Sequence, residues 1–589
     1  MPVERPSASQ LIGLMLIGMV AVSASMGCDS EDGALARLTP SPRTNATGVE
    51  AAATIPDARG IAFRDVAAER RLQFEWPVQS RPLTALAAFG CGCGFFDFDQ
   101  DGWQDVLLVG NPTCGLFRNE SGRQFGDVSG TGGLAMPEAR WTGCAVGDYD
   151  ADGWLDVLVT GFHRLALFVN RGDGTFSEAT VAAGLDPENH GRWGSSAGFM
   201  DLDGDSILDL VILNYVVFGP HVKQFCELKP GVLTGCQPKE YEPEFGEIRR
   251  GTDAGRFEPV DGSGMEDTHG IGLVLAFADL DADRLQDFYI GNDGKLAELM
   301  HNSGDMKFEN IGLASGVAFK NMTTMVPMAA MGADWGDFDR DGRFDLTVTD
   351  FQMASAGVFR NLGNLSFTDV GVSLGIHGAT RNRLGFGAKW LDFDNDGWLD
   401  ICYVNGHVYD NVSDLESDTP FRQRTQLFHS RKGREFVDLV PALTSDVGRP
   451  IVGRGSATAD FDNDGRMDLL IVDFEGPAML LHNETESPHH WLTLELRSSS
   501  ANRFAYGACV AARSGNGVSI GQVSPASSYL SSSDTRVHFG LGAEDHLDEL
   551  TIRWPSGRDE VLKNVRGDQI LRLREGLVSR DESQSGQEP

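Results

Sequence analysis

Along the chain, short apolar runs rich in glycine and β-branched residues alternate with acidic turns of nine residues. GCGFF precedes and VLLV follows the turn that begins at Asp97; GFGAKWL precedes the one at Asp392, and LVIL and LLIV follow those at Asp201 and Asp460. Short apolar runs bounded by turn residues predict strands, so each unit reads as a β-hairpin bent at an acidic turn. The turn has the pattern D-x-D-x-D-x-x-x-D and recurs seven times, beginning at Asp97, Asp148, Asp201, Asp279, Asp337, Asp392 and Asp460. A second element alternates with it, a phenylalanine followed by two residues and then an aliphatic one, at Phe63, Phe125, Phe176, Phe257, Phe308, Phe367 and Phe436. This series starts before the first acidic turn and stops before the last. If every unit needs both elements, the strand at Phe63 must complete the unit that contains Asp460, which closes a ring and hides the terminal edges. The pattern predicts an all-β fold with a seven-bladed β-propeller over residues 61–488.

The acidic turns carry the candidate chemistry. Carboxylates at positions 1, 3, 5 and 9 of one turn converge as the hard oxygens of an EF-hand loop do, a pattern suited to Ca²⁺. The expected ligands are Asp97, Asp99, Asp101 and Asp105; Asp148, Asp150, Asp152 and Asp156; Asp201, Asp203, Asp205 and Asp209; Asp279, Asp281, Asp283 and Asp287; Asp337, Asp339, Asp341 and Asp345; Asp392, Asp394, Asp396 and Asp400; and Asp460, Asp462, Asp464 and Asp468. Up to seven Ca²⁺ are expected. Position 6 calls for a positive φ, which glycine supplies in five turns; Ser206 and Arg284 stand there in the third and fourth, where strain predicts weaker sites. A solvated acidic turn would explain one such loop but not seven in register.

Composition narrows the partners. The formal net charge of −36 repels phosphate, so neither nucleic acid nor an anionic membrane surface is expected to bind through the general field. With 41% hydrophobic residues the chain has ample material for a core. Of the nine cysteines, Cys226 and Cys236 share the long insertion between Tyr215 and Gly255 and are expected to staple it. Register suggests two further disulfides, Cys91 with Cys114 and Cys93 with Cys144, with a four-cysteine metal site as the alternative. Cys402 and Cys509, in apolar strands, read as buried thiols.

At the N-terminus, residues 11–25 form an apolar run of signal-peptide length, too short to span a bilayer as a helix. Ser25-Met26-Gly27-Cys28 resembles the lipobox of bacterial lipoproteins, in which Cys28 would be lipidated; the alternative is an ordinary secretory peptide with Cys28 a spare thiol. Residues 1–28 thus read as a signal segment and 29–60 as a flexible linker, so the chain is expected to be exported, either lipid-anchored in the cell envelope or secreted.

The repeats resemble those of FG-GAP and VCBS proteins, the group that includes the integrin α-chain propellers. Trp491, Asn502-Arg503, Tyr506-Gly507-Ala508, Ser528-Tyr529-Leu530, His538-Phe539-Gly540-Leu541-Gly542 and Trp554-Pro555-Ser556-Gly557 look like an ASPIC/UnbV domain. Together they resemble the cartilage acidic protein family and its bacterial relatives. That resemblance implies extracellular Ca²⁺ binding and matrix or surface interaction with a protein or glycan. Alternating strands over residues 489–575 suit a small β-sandwich-like module, and residues 576–589 read as a disordered tail.

Enzymatic readings carry less weight. Gly194-Ser195-Ser196-Ala197-Gly198 matches a nucleophile elbow, but it stands where the inner strand of the third blade is expected, and no strand-turn-helix follows. No catalytic residue is assigned. The alternative to a non-enzymatic surface-interaction protein is a propeller enzyme of lyase, hydrolase or oxidase type, with its site in the central channel.

Overall fold

The computed structural model describes residues 58 and 60–577, apart from 135, 137, 321–325, 416, 417, 444, 445 and 516. The signal segment, Cys28, nearly all of the linker and residues 578–589 lie outside the described residues.

Each acidic turn joins two antiparallel strands, and in every repeat the ninth residue of the turn opens the second strand. The registers are Phe96↔Asp105, Gly147↔Asp156, Met200↔Asp209, Ala278↔Asp287, Gly336↔Asp345, Leu391↔Asp400 and Ala459↔Asp468. A third strand and then the phenylalanine element add on the outer side. The first blade, for example, runs Cys93–Phe96, Asp105–Leu108, Gly115–Asn119 and Phe125–Asp127. Seven blades of four antiparallel strands result, the first extended to a six-stranded sheet by two short strands from the C-terminal region. Their inner strands pack on one another in chain order, and the last, Gly453–Ala459, packs on the first, Cys93–Phe96. The fold is therefore an all-β propeller.

Ring closure follows the order of the elements. Phe63–Asp65 is the outer strand of the last blade, with Phe63 opposite Asn483, so the final sheet is built from both ends of the propeller sequence. In the third blade, residues between Asn214 and Glu247 form the insertion, which contains a hairpin of Phe225–Lys229 and Val232–Gly235 closed by the Cys226–Cys236 disulfide with Cα atoms 4.9 Å apart.

The other two expected disulfides are not formed. Cys91, Cys93, Cys114 and Cys144 are buried free thiols. The Cys93 sulfur lies 3.7 Å from the Leu470 carbonyl of the last blade, whereas the Cys144 sulfur lies 3.5 Å from the Cys93 carbonyl, so the two sulfurs point to different neighbours. Burial pushes the Cys91 and Cys93 thiols up to about 12, which makes them unreactive as nucleophiles. Cys402 is a buried free thiol and Cys509 a half-buried one.

After the ring, His490–Arg497, Val537–Gly542 and Gln569–Arg574 form one sheet, and Cys509–Ser514, Gly517–Gln522, His546–Arg553 and Asp559–Arg566 form another. Their apolar residues, Leu494, Val510, Phe539 and Ile552 among them, belong to the same buried cluster as Phe95 and Val146 of the propeller. Between the two sheets the chain leaves to enter the ring. Ala526–Ser527 and Ser531–Ser532 pair with each other, and Ser532 pairs with Gly94 on the inner strand of the first blade. A Cβ at Gly92 would stand 1.8 Å from the Leu530 carbonyl oxygen, so the approach demands glycine there. Serine hydroxyls meet the inner strands: Cys93 N–H donates to Ser531 Oγ at 3.1 Å, and Ser456 and Ser528 hydroxyls lie 2.9 Å apart. At the tip, Tyr529 is buried and donates its hydroxyl to the Phe89 carbonyl at 2.8 Å. The central channel is filled by this segment.

Candidate metal site

The acidic turn is a self-bonded cage of backbone N–H groups and carboxylates. In the first blade, Asp97 Oδ1 and Oδ2 accept from the N–H groups of Asp101 and Gly102 at 3.0 and 2.8 Å, and Asp101 Oδ1 accepts from Trp103 N–H at 3.0 Å. The same bonds recur at Asp337, Asp392 and Asp460. Position 6 lies in the left-handed region in all seven turns, at φ 84 to 97 for the five glycines, 70 for Ser206 and 77 for Arg284. The serine and arginine thus carry the strain their sequence positions predicted.

Position 9 has a second task. Asp105 Oδ2 accepts from Phe98 N–H at 3.0 Å and Oδ1 from Asn119 N–H at 2.6 Å, which ties the turn to the third strand. Equivalent pairs hold Asp156, Asp209, Asp287, Asp345, Asp400 and Asp468. A carboxylate has lone pairs to spare beyond these two bonds, so anchoring and ligation are compatible.

Ligand atoms come together within 4.8 Å in Asp97, Asp99 and Asp105, in Asp148, Asp150 and Asp156, and in Asp201, Asp203 and Asp209. In the last two blades the sets are Asp394, Asp396 and His429, and Asp462, Asp464 and His482. These sets could hold a cation. Burial, and after it repulsion from the neighbouring aspartates, pushes Asp97 up to about 6 and Asp148 and Asp337 up to about 7. Burial likewise holds Asp105, Asp345 and Asp400 well above the usual carboxylate range. One oxygen each of Asp99, Asp148, Asp279, Asp339 and Asp462 is buried without a hydrogen-bond partner. Buried, unpartnered oxygens on crowded carboxylates, in the first three blades with carboxylates alone in the set, suit a hard divalent ion such as Ca²⁺.

Two features of the site were legible in the sequence yet not read from it. The residue before the third-strand N–H that bonds the position-9 aspartate is basic in six blades, and in five it pairs with the position-3 aspartate. Arg118 reaches Asp99 at 2.5 Å, Arg250 Asp203 at 2.7 Å, Arg360 Asp339 at 2.8 Å, His429 Asp394 at 3.1 Å and His482 Asp462 at 3.0 Å. In the fourth blade His301 turns instead to Asp287 at 3.0 Å. The second blade has Val169 there, so its turn lacks this internal counter-charge. The following residue is commonly asparagine, and its amide stitches adjacent blades: Asn119 Nδ2 donates to Phe461 O, Asn170 to Phe98 O, Asn302 to Leu202 O and Asn483 to Phe393 O, all at 2.7 to 2.8 Å.

The C-terminal sheets sit on the acidic face. Arg536 donates to Asp460 O at 2.8 Å and Asn463 Oδ1 at 2.7 Å, and Arg503 to Ala151 O at 2.8 Å. Arg284 bonds Asp559 at 3.1 Å, which gives that unexpected position-6 residue a partner across the interface.

Residues 97–159, 148–212, 279–348 and 337–403 match the FG-GAP-like repeat, and residues 498–580 match ASPIC and UnbV. The chain carries FG-GAP-like repeats and an ASPIC/UnbV domain. It is homologous to cartilage acidic protein 1. Identity to the human protein is 24% over 421 residues, 69% of this chain and 56% of that protein. Identity to the mouse protein is 22% over 534 residues, 83% of this chain and 74% of that one. The chain thus spans little more than half of the human relative. A solved structure described as YCF48 bound to D1 peptide is similar at 11% identity and a TM-score of 0.38, covering 69% of this chain and 97% of that one, a likeness too loose to add to the fold seen in the sheets.

In this FG-GAP and ASPIC/UnbV chain, Ser196 is buried on the inner strand Gly194–Met200 and donates its hydroxyl to Leu273 O at 2.8 Å, a structural use rather than a nucleophile's. The charges inside the channel are likewise spent on neighbours. Lys389 bonds Asp334 at 3.0 Å and Ser527 Oγ at 2.6 Å, and Arg454 donates to the carbonyls of Ala88, Gly453 and His407. Among the described residues no helix is long and apolar enough to cross a membrane.

Proposed function

We propose that this protein is an exported, non-enzymatic propeller that binds Ca²⁺ in its acidic turns and engages a protein or glycan at the cell surface or in the matrix. The observation that carries the metal reading is the set of buried carboxylate oxygens without partners, on aspartates that burial and mutual repulsion lift toward neutrality. The residues that would hold the ion are those at positions 1, 3, 5 and 9 of each turn, with the third and fourth turns weakest because of Ser206 and Arg284. Bound Ca²⁺ would supply charge balance, not chemistry. The apolar N-terminal run and Cys28 support export and a lipid anchor, and homology to cartilage acidic protein 1 supports an extracellular interaction role. The channel filled by residues 526–532, with Lys389 paired to Asp334 and Arg454 bonded to backbone carbonyls, favours this reading over an enzyme with its site in the channel.

Calcium linkage provides the test. A site with a Kd of about 0.1 mM at about 1 mM Ca²⁺ stabilises the fold by about 1.4 kcal/mol, so several such sites together rival the stability of a domain. Chelation verified by elemental analysis should lower Tm by several degrees and remove up to seven Ca²⁺ per chain. An unchanged melt after verified removal sinks the metal reading. Glycan-array and pull-down screens with and without Ca²⁺ test the interaction role.

A further inference from the structure

At the end of the ring away from the acidic turns lies a recess of about 240 Å³. It is built where inner strands begin and second strands end, and its floor is Tyr529, the tip of the C-terminal segment. The walls are aromatic. The Phe89 ring stands 4.9 Å from Tyr215 and 6.0 Å from Tyr529, Phe386 lies 4.8 Å from Tyr529, and Phe351 lies 6.5 Å from Tyr409.

The disulfide-closed insertion forms a roof on one side. Gly235 packs against Leu83 and Thr84, and Asn411 Nδ2 donates to Leu233 O at 3.0 Å, so the hairpin reaches from the third blade to the loop of the sixth. Thr84, Ala85 and Cys236 line the same recess.

One carboxylate opens into this aromatic chamber. Asp293, just past the second strand of the fourth blade, accepts a hydrogen bond from Tyr215 Oη at 2.7 Å, and no basic side chain among the described residues pairs with it. A lone carboxylate among aromatic faces is the combination that receives an organic cation, because ring quadrupoles and the carboxylate both attract positive charge where water is scarce. At the mouth, the exposed Lys239 and Lys295 present the opposite charge. A ligand positive at its inner end and negative at its outer end satisfies both.

We propose that this recess is a binding site for a small zwitterionic ammonium compound, its alkylated ammonium held by Asp293, Tyr215 and the surrounding rings and its carboxylate turned toward the two lysines. Burial lifts Asp293 to about 6, a cost that an incoming ammonium would relieve. The site stands apart from the acidic turns and does not depend on their holding metal.

Glycine betaine and 3,3-dimethylbutanoate are the probes, since they share shape and carboxylate and differ in the charge at one atom. Calorimetry on the full exported chain should show betaine binding, with the carbon isostere, which lacks the positive charge, weaker by at least tenfold. Asp293→Asn should weaken betaine about tenfold, equivalent to ~1.4 kcal/mol, with the melting temperature retained. Phe351→Leu, which keeps bulk but removes a ring at a half-buried position, should weaken it several-fold and serves if the Asp293 variant does not fold. Equal binding of the isostere, no betaine binding below a Kd of about 10 mM, or variants with unchanged affinity would overturn the proposal.

Discussion

Asp148→Asn is expected to stabilise the fold, and to do so less when metal is bound. Asp148 is 2% exposed, one of its oxygens has no partner, and the blade lacks the basic third-strand residue that offsets charge elsewhere. Burial, then repulsion from Asp152 and Asp150, lifts its carboxyl to about 7, against an unfolded value of about 3.9. The folded chain therefore holds a proton there that the unfolded chain has lost, and stability falls as pH rises from about 4 to about 7. Above that window, keeping the group ionised costs about 4 kcal/mol. Asparagine removes the charge and keeps an oxygen for the Gly153 N–H now bonded at 3.1 Å. In chelator at pH 8 the variant should thus be more stable by up to ~4 kcal/mol. For the compact unit Ile55–Pro589, at ~2.1 cal/mol/K per residue, that is a Tm increase of about 3 to 4 °C. In about 1 mM Ca²⁺ the same change also deletes a ligand and forfeits about 1.4 kcal/mol of linkage, so the Tm increase should shrink to about 2 °C, with one fewer ion per chain. Scanning calorimetry at pH 5 and pH 8, each with Ca²⁺ and with EDTA, reads all four corners. At pH 5 the gain in EDTA should shrink, because the wild-type carboxyl is then largely protonated. A variant destabilised equally in EDTA and Ca²⁺ at pH 8 would show that the turn is held by its hydrogen bonds and that the charge argument is wrong.

Three further outcomes follow from the packing. Cys91, Cys93, Cys114 and Cys144 should resist thiol reagents in the native state and react on unfolding; loss of reactivity under non-reducing denaturation would restore the disulfide assignment. Tyr529→Ala should cost about 3 to 5 kcal/mol through the lost ring packing and the bond to Phe89 O, read as a lower Tm and faster proteolysis after residue 490; a neutral effect would mean the channel segment contributes no stability. Phe63→Ala should cost a similar amount and expose the edge of the last blade to protease, since Phe63 is buried against Phe393; cleavage confined to other blades would contradict ring closure at this strand.

Much of the ring was legible because its period was chemical as well as hydrophobic. A fixed nine-residue spacing of aspartates located every hairpin, and the offset phenylalanine series located the closing strand at Phe63. The third-strand cations are equally visible, as Arg118, Arg360 and His482 all precede an asparagine, but a pattern of ligand spacing does not include their counter-charges. What spacing could not supply was orientation between blades. Cys93 and Cys144 share a register four residues before their turns, yet a sulfur on an inner strand faces one neighbouring blade or the other according to the twist of the ring. The channel segment was hidden for another reason. Pro525-Ala-Ser-Ser-Tyr-Leu-Ser-Ser-Ser533 reads as a polar loop, and only the glycines of the inner strands, Gly92 and Gly94 among them, make room for its backbone.

The closing strand also fixes the order in which the molecule can be made. Arg64 bonds Glu484 across 420 positions, and Tyr529 bonds Phe89 across 440. During synthesis the strand at Phe63 emerges early and waits, an unpaired edge, until the last blade has followed it; only then is there a closed ring for residues 526–532 to enter. Contacts of such separation are slow to form and leave edges open to wrong partners. A chain stopped short of the final hundred residues would therefore have blades but an open bore.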